Sequence, residues 1–202
     1  TKESVELIAE AKARGLDVSC ETAPHYLLPC DEDLQEDGRF KMNPPIRGRA
    51  DQEELLRGIL DGTIDMIATD HAPHVPRAEE GESRQAASVI PLVQLSLPCR
   101  LEGARRGWWS RERVVELMCH NPAQLFGIER RGFLRPGYYA DLVIVGETPS
   151  EVTRESILSK CGWSPFEGET FSHKVSDTYV NGRRVHPFGA NGDAALPPRL
   201  GK

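Results

Sequence analysis

The 202-residue chain has 39% hydrophobic and 28% charged residues, as in an ordinary globular protein of one domain or about one and a half. A formal net charge of -6 argues against nucleic acid or an anionic membrane as partner. No apolar run approaches the roughly 18 residues of a membrane span, and the five scattered cysteines form no C-x-x-C pair, which is typical of reduced thiols in a cytosolic protein.

Predicted helices and strands alternate along the first part of the chain. A helix over 1–14, capped by Thr1 or Ser4, precedes a strand at 17–22, and a helix over 50–60 precedes a strand at 64–69. This alternation has the spacing of βα units and indicates an α/β fold with a parallel sheet or barrel. The second helix is predicted to bury Leu55, Leu56, Ile59 and Leu60.

Residues able to bind metal or move protons follow the strand at 64–69. Asp70, His71 and His74 lie within five positions of each other after this strand, which is bracketed by Asp61 and Gly62 before it and by Pro73 after it. Chemistry in a parallel α/β barrel collects at the carboxyl ends of strands, so Asp70 is a candidate catalyst. The alternative is an aspartate that caps the next turn beside two solvated histidines. His25 follows the strand at 17–22 in the same way, and both a structural and a direct role are open for it.

A rigid loop over 40–47 presents Asn43. Two prolines follow Asn43 and disfavour a helix there. An asparagine can donate and accept hydrogen bonds at once, which suits an amide or imide ligand. It can equally bond its own turn.

The character of the sequence changes near residue 130. Ser110 is predicted to cap a helix, Asn121 and Pro122 to start a further short one, and a hairpin turns at 181–182. We predict three parts: a barrel portion over 1–130, a β portion over 131–186, and a loose tail over 187–202.

Five motifs in chain order resemble the dihydroorotases of the cyclic amidohydrolase superfamily. They are E-T-A-P-H-Y-L at 21–27, F-K-M-N-P-P-I-R at 40–47, T-D-H-A-P-H at 69–74, N-P-A at 121–123 and C-G-W-S-P-F-E-G at 161–168. The resemblance runs from about residue 1 to residue 186, and the joint presence of the second and third motifs makes it specific.

The resemblance implies the carboxyl-terminal half of a (β/α)8 TIM barrel and part of a small β-sandwich. Residues 19–22 would lie in barrel strand seven and 64–69 in strand eight. It also implies zinc, usually as a binuclear centre, of whose ligands this sequence holds only Asp70. Because a catalytic zinc needs about three protein ligands, we expect an upstream segment to supply the rest.

The resemblance further implies roles for individual residues. Dihydroorotase interconverts L-dihydroorotate and N-carbamoyl-L-aspartate in pyrimidine biosynthesis, with Asp70 as general base and acid beside a zinc-activated hydroxide. Asn43 and His74 match positions that contact the substrate, whereas His71 is expected to order its loop. Val89 stands where many relatives carry a glycine, which would alter the substrate fit. The family also implies a cytoplasmic homo-oligomer, in some cases assembled with aspartate transcarbamoylase.

Two alternatives stay open on the sequence. One is a hydantoinase- or allantoinase-like cyclic amidase, which would apply the same chemistry to a different ring. The other is a non-catalytic amidohydrolase homologue that acts as a scaffold, since such relatives lose metal ligands. The intact Asp70 argues mildly against the scaffold.

Overall fold

A computed structural model describes residues 1–34, 39–75 and 90–187. Helices and short strands alternate over the first part of the chain, and antiparallel strands dominate the last third. None of the helices in these ranges is long and apolar enough to cross a membrane.

The first two helices begin and end where local chemistry predicts. Helix α1 spans Lys2–Ala13, and the Thr1 side chain accepts a hydrogen bond from the backbone N–H of Ser4, as expected of an N-cap. Helix α2 spans Arg49–Asp61 and ends at Gly62, whose φ of 86° is left-handed. Both predicted helices are therefore confirmed to within a residue or two.

Two short strands form the parallel pair that the βα alternation predicts. Strand β1 (Glu21–Thr22) pairs with β2 (Met66–Ile67) in parallel register. Hydrogen bonds from Asp65 N–H to Cys20 O and from Ala68 N–H to Thr22 O lengthen the pairing by one step at each end. The predicted strands of six residues were too long, because the chain at 17–19 is exposed and only the short side-by-side stretch is paired.

The first core joins the helices to strand β2. Ile59 of α2 is completely buried, but Leu60, predicted to be buried, is 61% exposed. The reason is Gly58, where an added Cβ would lie 3.0 Å from a Val5 methyl carbon. Helix α1 therefore packs against the face of α2 that carries Gly58 and not against the face that carries Leu60. The buried members of this core are Val5, Leu27, Ile59, Ile64, Ile67, Leu101, Trp109, Val114 and Leu117.

Two helical stretches follow, separated by a turn at 106–110. Helix α3 spans Ser96–Arg105, and α4 spans Arg111–Val115 with its N-cap at Ser110, as predicted. The second stretch continues through a π-helical turn, Glu116–His120, into α5, Asn121–Leu125. Pro122 has no N–H to donate to the preceding turn, which explains why the wider turn precedes it.

The last third of the described chain contains the predicted hairpin. Strands β3 (Leu142–Gly146), β6 (Lys174–Val180) and β7 (Arg183–His186) form an antiparallel sheet in the order β3-β6-β7. The turn between β6 and β7 holds Asn181 and Gly182 at φ of 52° and 77°, the left-handed pair that a tight hairpin needs.

A second core contains residues from both sides of the predicted boundary at 130. The short strands β4 (Ser150–Glu151) and β5 (Thr170–Phe171) pair with each other beside it. Phe166 and Phe171 meet edge to face, with ring centroids 5.8 Å apart. The β portion is thereby packed onto the loops that carry the candidate site. The buried members of this core are Met42, Ile90, Leu92, Leu95, Cys99, Val152, Phe166 and Phe171.

Candidate functional site

Asp70 lies beyond the carboxyl end of strand β2. Its backbone is left-handed, with φ of 48°, a conformation that aspartate tolerates better than most residues. Its side chain is 48% exposed. The strand is therefore followed by a carboxylate that faces solvent, at the position the sequence predicted.

A buried arginine holds the chain just before Asp70. Arg100 is 1% exposed and donates from Nη2 to the main-chain oxygen of Ala68, 2.7 Å away, and from Nη1 to that of Ser96. Burial lowers the pKa of Arg100 to about 10, which leaves it charged at neutral pH. Its hydrogen-bond partners in the described part of the chain are main-chain carbonyl oxygens, and the bond to Ala68 fixes the chain just after strand β2. Sequence reasoning missed it because an arginine in a helix is usually exposed.

His25 follows strand β1 and lies next to Asp70, which follows strand β2. It belongs to the short 3-10 turn Pro24–Tyr26, and its ring is completely buried. The distance from His25 Nε2 to Asp70 Oδ2 is 3.8 Å. Burial lowers the pKa of His25 to about 4, because a charged imidazole would lose its hydration there. His25 is therefore neutral at physiological pH.

Tyr26 joins this turn to the loop that carries Asn43. Its ring centroid lies 4.1 Å from that of His25, and its hydroxyl donates to the main-chain oxygen of Pro44, 2.9 Å away. Partial burial raises the pKa of Tyr26, and the charge of Asp70 raises it further. Asn43 itself is exposed. The turn at 24–26 thus lies next to Asp70 through His25 and contacts the loop of Asn43 through Tyr26.

His74 is exposed on the loop that begins at Asp70. The indole Nε1 of Trp163 donates to the main-chain oxygen of His74, 2.8 Å away. His71 accepts at Nδ1 from the N–H of Val93, 3.2 Å away, which supports the prediction that His71 orders this loop. Within the described residues, no hydrogen bond joins Asp70, Asn43 and His74 to one another, so a ligand that contacted all three would have to bridge them.

The described residues do not complete a zinc site. No three histidine, cysteine, aspartate or glutamate side chains in residues 1–34, 39–75 and 90–187 are arranged to hold a metal ion. Asp70 can supply one carboxylate oxygen, whereas a catalytic zinc needs about three protein ligands. Val89, and the predicted tail from residue 188 onward, lie outside the described residues.

Comparisons with known proteins agree on one family. The model of the amidohydrolase family matches residues 1–185. A dihydroorotase of Lactobacillus johnsonii is 42% identical over 194 residues, which cover 94% of this chain and 45% of the relative. A dihydroorotase of Lactiplantibacillus plantarum is 41% identical over 92% of this chain and 44% of its own length. The chain therefore spans about 45% of the length of the curated relatives it matches.

Solved structures give the same fold. The L-hydantoinase (dihydropyrimidinase) of Arthrobacter aurescens superposes with a TM-score of 0.84 at 32% identity, over 91% of this chain and 42% of that one. A dihydropyrimidinase of Brevibacillus agri superposes with a TM-score of 0.81 at 25% identity, over 90% of this chain and 42% of that one. The described architecture is therefore part of an α/β amidohydrolase fold.

Proposed function

Because this chain belongs to the amidohydrolase family, we propose that it forms part of a dihydroorotase, which opens the ring of L-dihydroorotate to N-carbamoyl-L-aspartate reversibly. Curated relatives at about 40% identity carry the name dihydroorotase. The chain covers less than half of their length, so the activity is proposed for the complete protein that contains residues 1–202. The family assignment confirms the resemblance that the motifs predicted.

The observation that carries the proposal is the exposed Asp70 carboxylate at the end of strand β2. In ring opening, a water oxygen bonds to the carbonyl carbon of the cyclic amide, the carbon–nitrogen bond breaks, and the nitrogen gains a proton. Asp70 would accept the proton of the attacking water and deliver it to the departing nitrogen. Proton transfer by a positioned side chain contributes about 10²–10⁴ in rate.

Asn43 and His74 are proposed to bind the substrate. The exposed Asn43 amide can donate to and accept from the ring amide. His74 can donate to the substrate carboxylate, with a stronger bond when the imidazole is charged. The main-chain contacts of Pro44 with Tyr26 and of His74 with Trp163 support these roles, because they tie both loops to the packed part of the chain.

We propose zinc as the metal of the complete protein, with Asp70 as one ligand. The other ligands would come from outside the described residues, since these supply too few groups. The family resemblance favours a binuclear centre. We also propose, on the same resemblance, a cytoplasmic homo-oligomer or an assembly with aspartate transcarbamoylase.

A second candidate function is hydrolysis of hydantoin or a related ring. It is favoured by the likeness to the L-hydantoinase of Arthrobacter aurescens, at a TM-score of 0.84. The chemistry at Asp70 would be the same, and only the groups that face the ring would differ. The sequence identity to the dihydroorotases is higher, so the first candidate stands ahead.

A substrate panel on the complete protein tests the proposal. L-dihydroorotate, hydantoin, dihydrouracil and allantoin would be compared by kcat/KM in the metal-loaded protein, with Asp70→Asn as the matched inactive control. We expect the highest kcat/KM for L-dihydroorotate. Faster opening of hydantoin or dihydrouracil would favour the second candidate. A folded, metal-loaded protein that opens none of the rings would instead support the scaffold.

A further inference from the structure

His25 is a described residue beside Asp70 whose environment the proposed function leaves unexplained. Its side chain is completely buried, yet neither ring nitrogen has a hydrogen-bond partner in the described part of the chain. A buried polar group without a partner destabilises the folded protein, and nearly all buried polar groups have one. The imidazole is thus held beside Asp70 at a cost that a role in the site would explain.

The carboxylate of Asp70 is the group that His25 faces. His25 Nε2 lies 3.8 Å from Asp70 Oδ2, about 1 Å beyond the usual length of a hydrogen bond. Catalytic hydrogen bonds are often long before the substrate binds and shorten in the reacting complex. The Asp70 side chain is 48% exposed and that of His25 is 0% exposed, so rotation of the Asp70 carboxylate is the movement that would close this gap.

We propose that His25 is a positioning residue for Asp70, donating from Nε2–H to Oδ2 of the carboxylate. This inference rests on the proposed function of Asp70 as the proton-transfer group. A carboxylate has about four lone-pair sites, so one site of Oδ2 can accept from His25 while the others remain for the proposed metal and for the reaction's proton. A donor to one oxygen restricts rotation of the carboxylate and so fixes the direction of transfer.

The surroundings of His25 suit a positioning role. Pro24 precedes it and Tyr26 follows it in the same short turn, and the Tyr26 ring packs against the imidazole at 4.1 Å. Because the Tyr26 hydroxyl donates to Pro44, the turn also fixes the loop of Asn43. A single short turn would therefore fix the position of the substrate-binding loop relative to the proton-transfer group.

The tautomer of His25 in the wild-type protein gives a direct test. A neutral imidazole carries one proton, and the proposal requires it on Nε2. The complete protein labelled with ¹⁵N-histidine would be examined by long-range ¹H–¹⁵N NMR, with His25 assigned by its loss in His25→Gln. A protonated Nε2 and a bare Nδ1 are expected. A bare Nε2 would overturn the proposal.

Kinetics of two variants test the consequence. His25→Leu fills the space without a donor, and His25→Gln returns an amide N–H close to the position of Nε2. We expect kcat to fall at least about tenfold in His25→Leu with KM within about twofold, and most of the loss to be restored in His25→Gln. His173→Gln is the matched control, because His173 is also buried with an unpartnered Nε2 but lies in β-portion packing.

Each outcome decides the proposal. A kcat within about twofold of wild type in His25→Leu overturns it, as does equal loss in the two folded variants, whatever the tautomer. If His25→Leu does not fold, the tautomer and the kcat of His25→Gln decide. Failure of this proposal can be distinguished from failure of the proposed function. If the wild-type protein opens no dihydroorotate, the tautomer of His25 can still be measured by NMR. The kinetics of the variants can then be measured on the ring that the wild type does open.

Discussion

The indole Nε1 of Trp163 donates a hydrogen bond of 2.8 Å to the main-chain oxygen of His74, although 89 positions separate the two residues. The contact joins the motif at 161–168 to the loop that begins at Asp70. The backbone of a proposed substrate-binding residue is thus fixed by a side chain of the β portion.

Replacing Trp163 by phenylalanine should weaken substrate binding. The ring is kept but the donor is lost, and one neutral hydrogen bond is worth about 1 kcal/mol, or roughly fivefold in KM. Steady-state kinetics of the complete protein would measure this. Trp108→Phe is the matched control, since Trp108 packs at the edge of the first core. An unchanged KM in Trp163→Phe would show that the contact does not support binding.

Removing the two proposed substrate groups should act on recognition and leave the metal in place. For His74→Ala and Asn43→Ala we expect kcat/KM to fall by a factor that corresponds to about 1–3 kcal/mol of lost transition-state stabilisation. This is the range of a lost polar or charge-assisted hydrogen bond. Metal analysis should give the wild-type content in both. Loss of metal from His74→Ala would identify His74 as a ligand and contradict its assignment to the substrate.

Replacing Asp70 by asparagine should nearly abolish turnover while the fold persists. Asparagine keeps the shape of the side chain but cannot accept the proton. We expect kcat to fall by about 10² or more, with the Tm close to that of the wild type because the side chain is half-exposed. A variant that retains more than about a tenth of the wild-type rate would remove Asp70 from the mechanism.

Local chemistry explains what the sequence predicted correctly. The Thr1 cap, the Ser110 cap and the Asn181 turn depend on residues a few positions apart. The parallel pairing of β1 with β2 follows from the βα alternation. The position of Asp70 at a strand end could be read in the same way, because an apolar run ends two positions before it.

Long-range packing explains what the sequence missed. Leu60 is exposed because Gly58 lets Val5 approach on another face of α2, and no periodicity in α2 alone reveals that. Arg100 has the local pattern of a surface residue, and its burial depends on the carbonyl oxygen of Ala68, 32 positions away. Contacts at such separations have no signal in the sequence of either partner.

Glu102 should make the protein less stable in acid. The side chain is buried and accepts hydrogen bonds first from Arg105, then from Ser172 and Arg106, which lower its pKa to about 2 from an ordinary 4.5. Because the folded pKa is the lower one, its stabilisation is complete above pH 4.5 and is lost as pH falls toward 2.

A glutamine variant isolates this contribution. The shift corresponds to at most about 3 kcal/mol, and we expect about 1–2 because the arginine partners are half-exposed. Urea denaturation of wild type and Glu102→Gln would be compared near neutral pH and near pH 3. The wild type should have the larger free energy of unfolding near neutral pH. The difference between the two proteins in this free energy should become smaller in acid. A difference that stays constant across this range would rule out the linkage.

Residues 1–202 by themselves should have no dihydroorotase activity and should bind zinc weakly if at all. The described residues supply Asp70 as a ligand but no group of three that could hold a metal ion, whereas a catalytic zinc needs about three. Large apolar side chains are also exposed on both helices beside the parallel strands, with Leu7 at 66% and Leu60 at 61%. Such surface invites self-association or a covering segment.

Metal analysis, an activity assay and size-exclusion chromatography on purified 1–202 would test this, with the complete protein as the positive control. We expect turnover and stoichiometric zinc only from the complete protein, and dimers or aggregates from 1–202. Co-expression of 1–202 with the adjoining sequence as a separate chain should restore both zinc and activity, because the ligands and the covering surface would then be present. Stoichiometric zinc and turnover from 1–202 alone would place the remaining ligands within these residues and contradict their expected origin in an upstream segment.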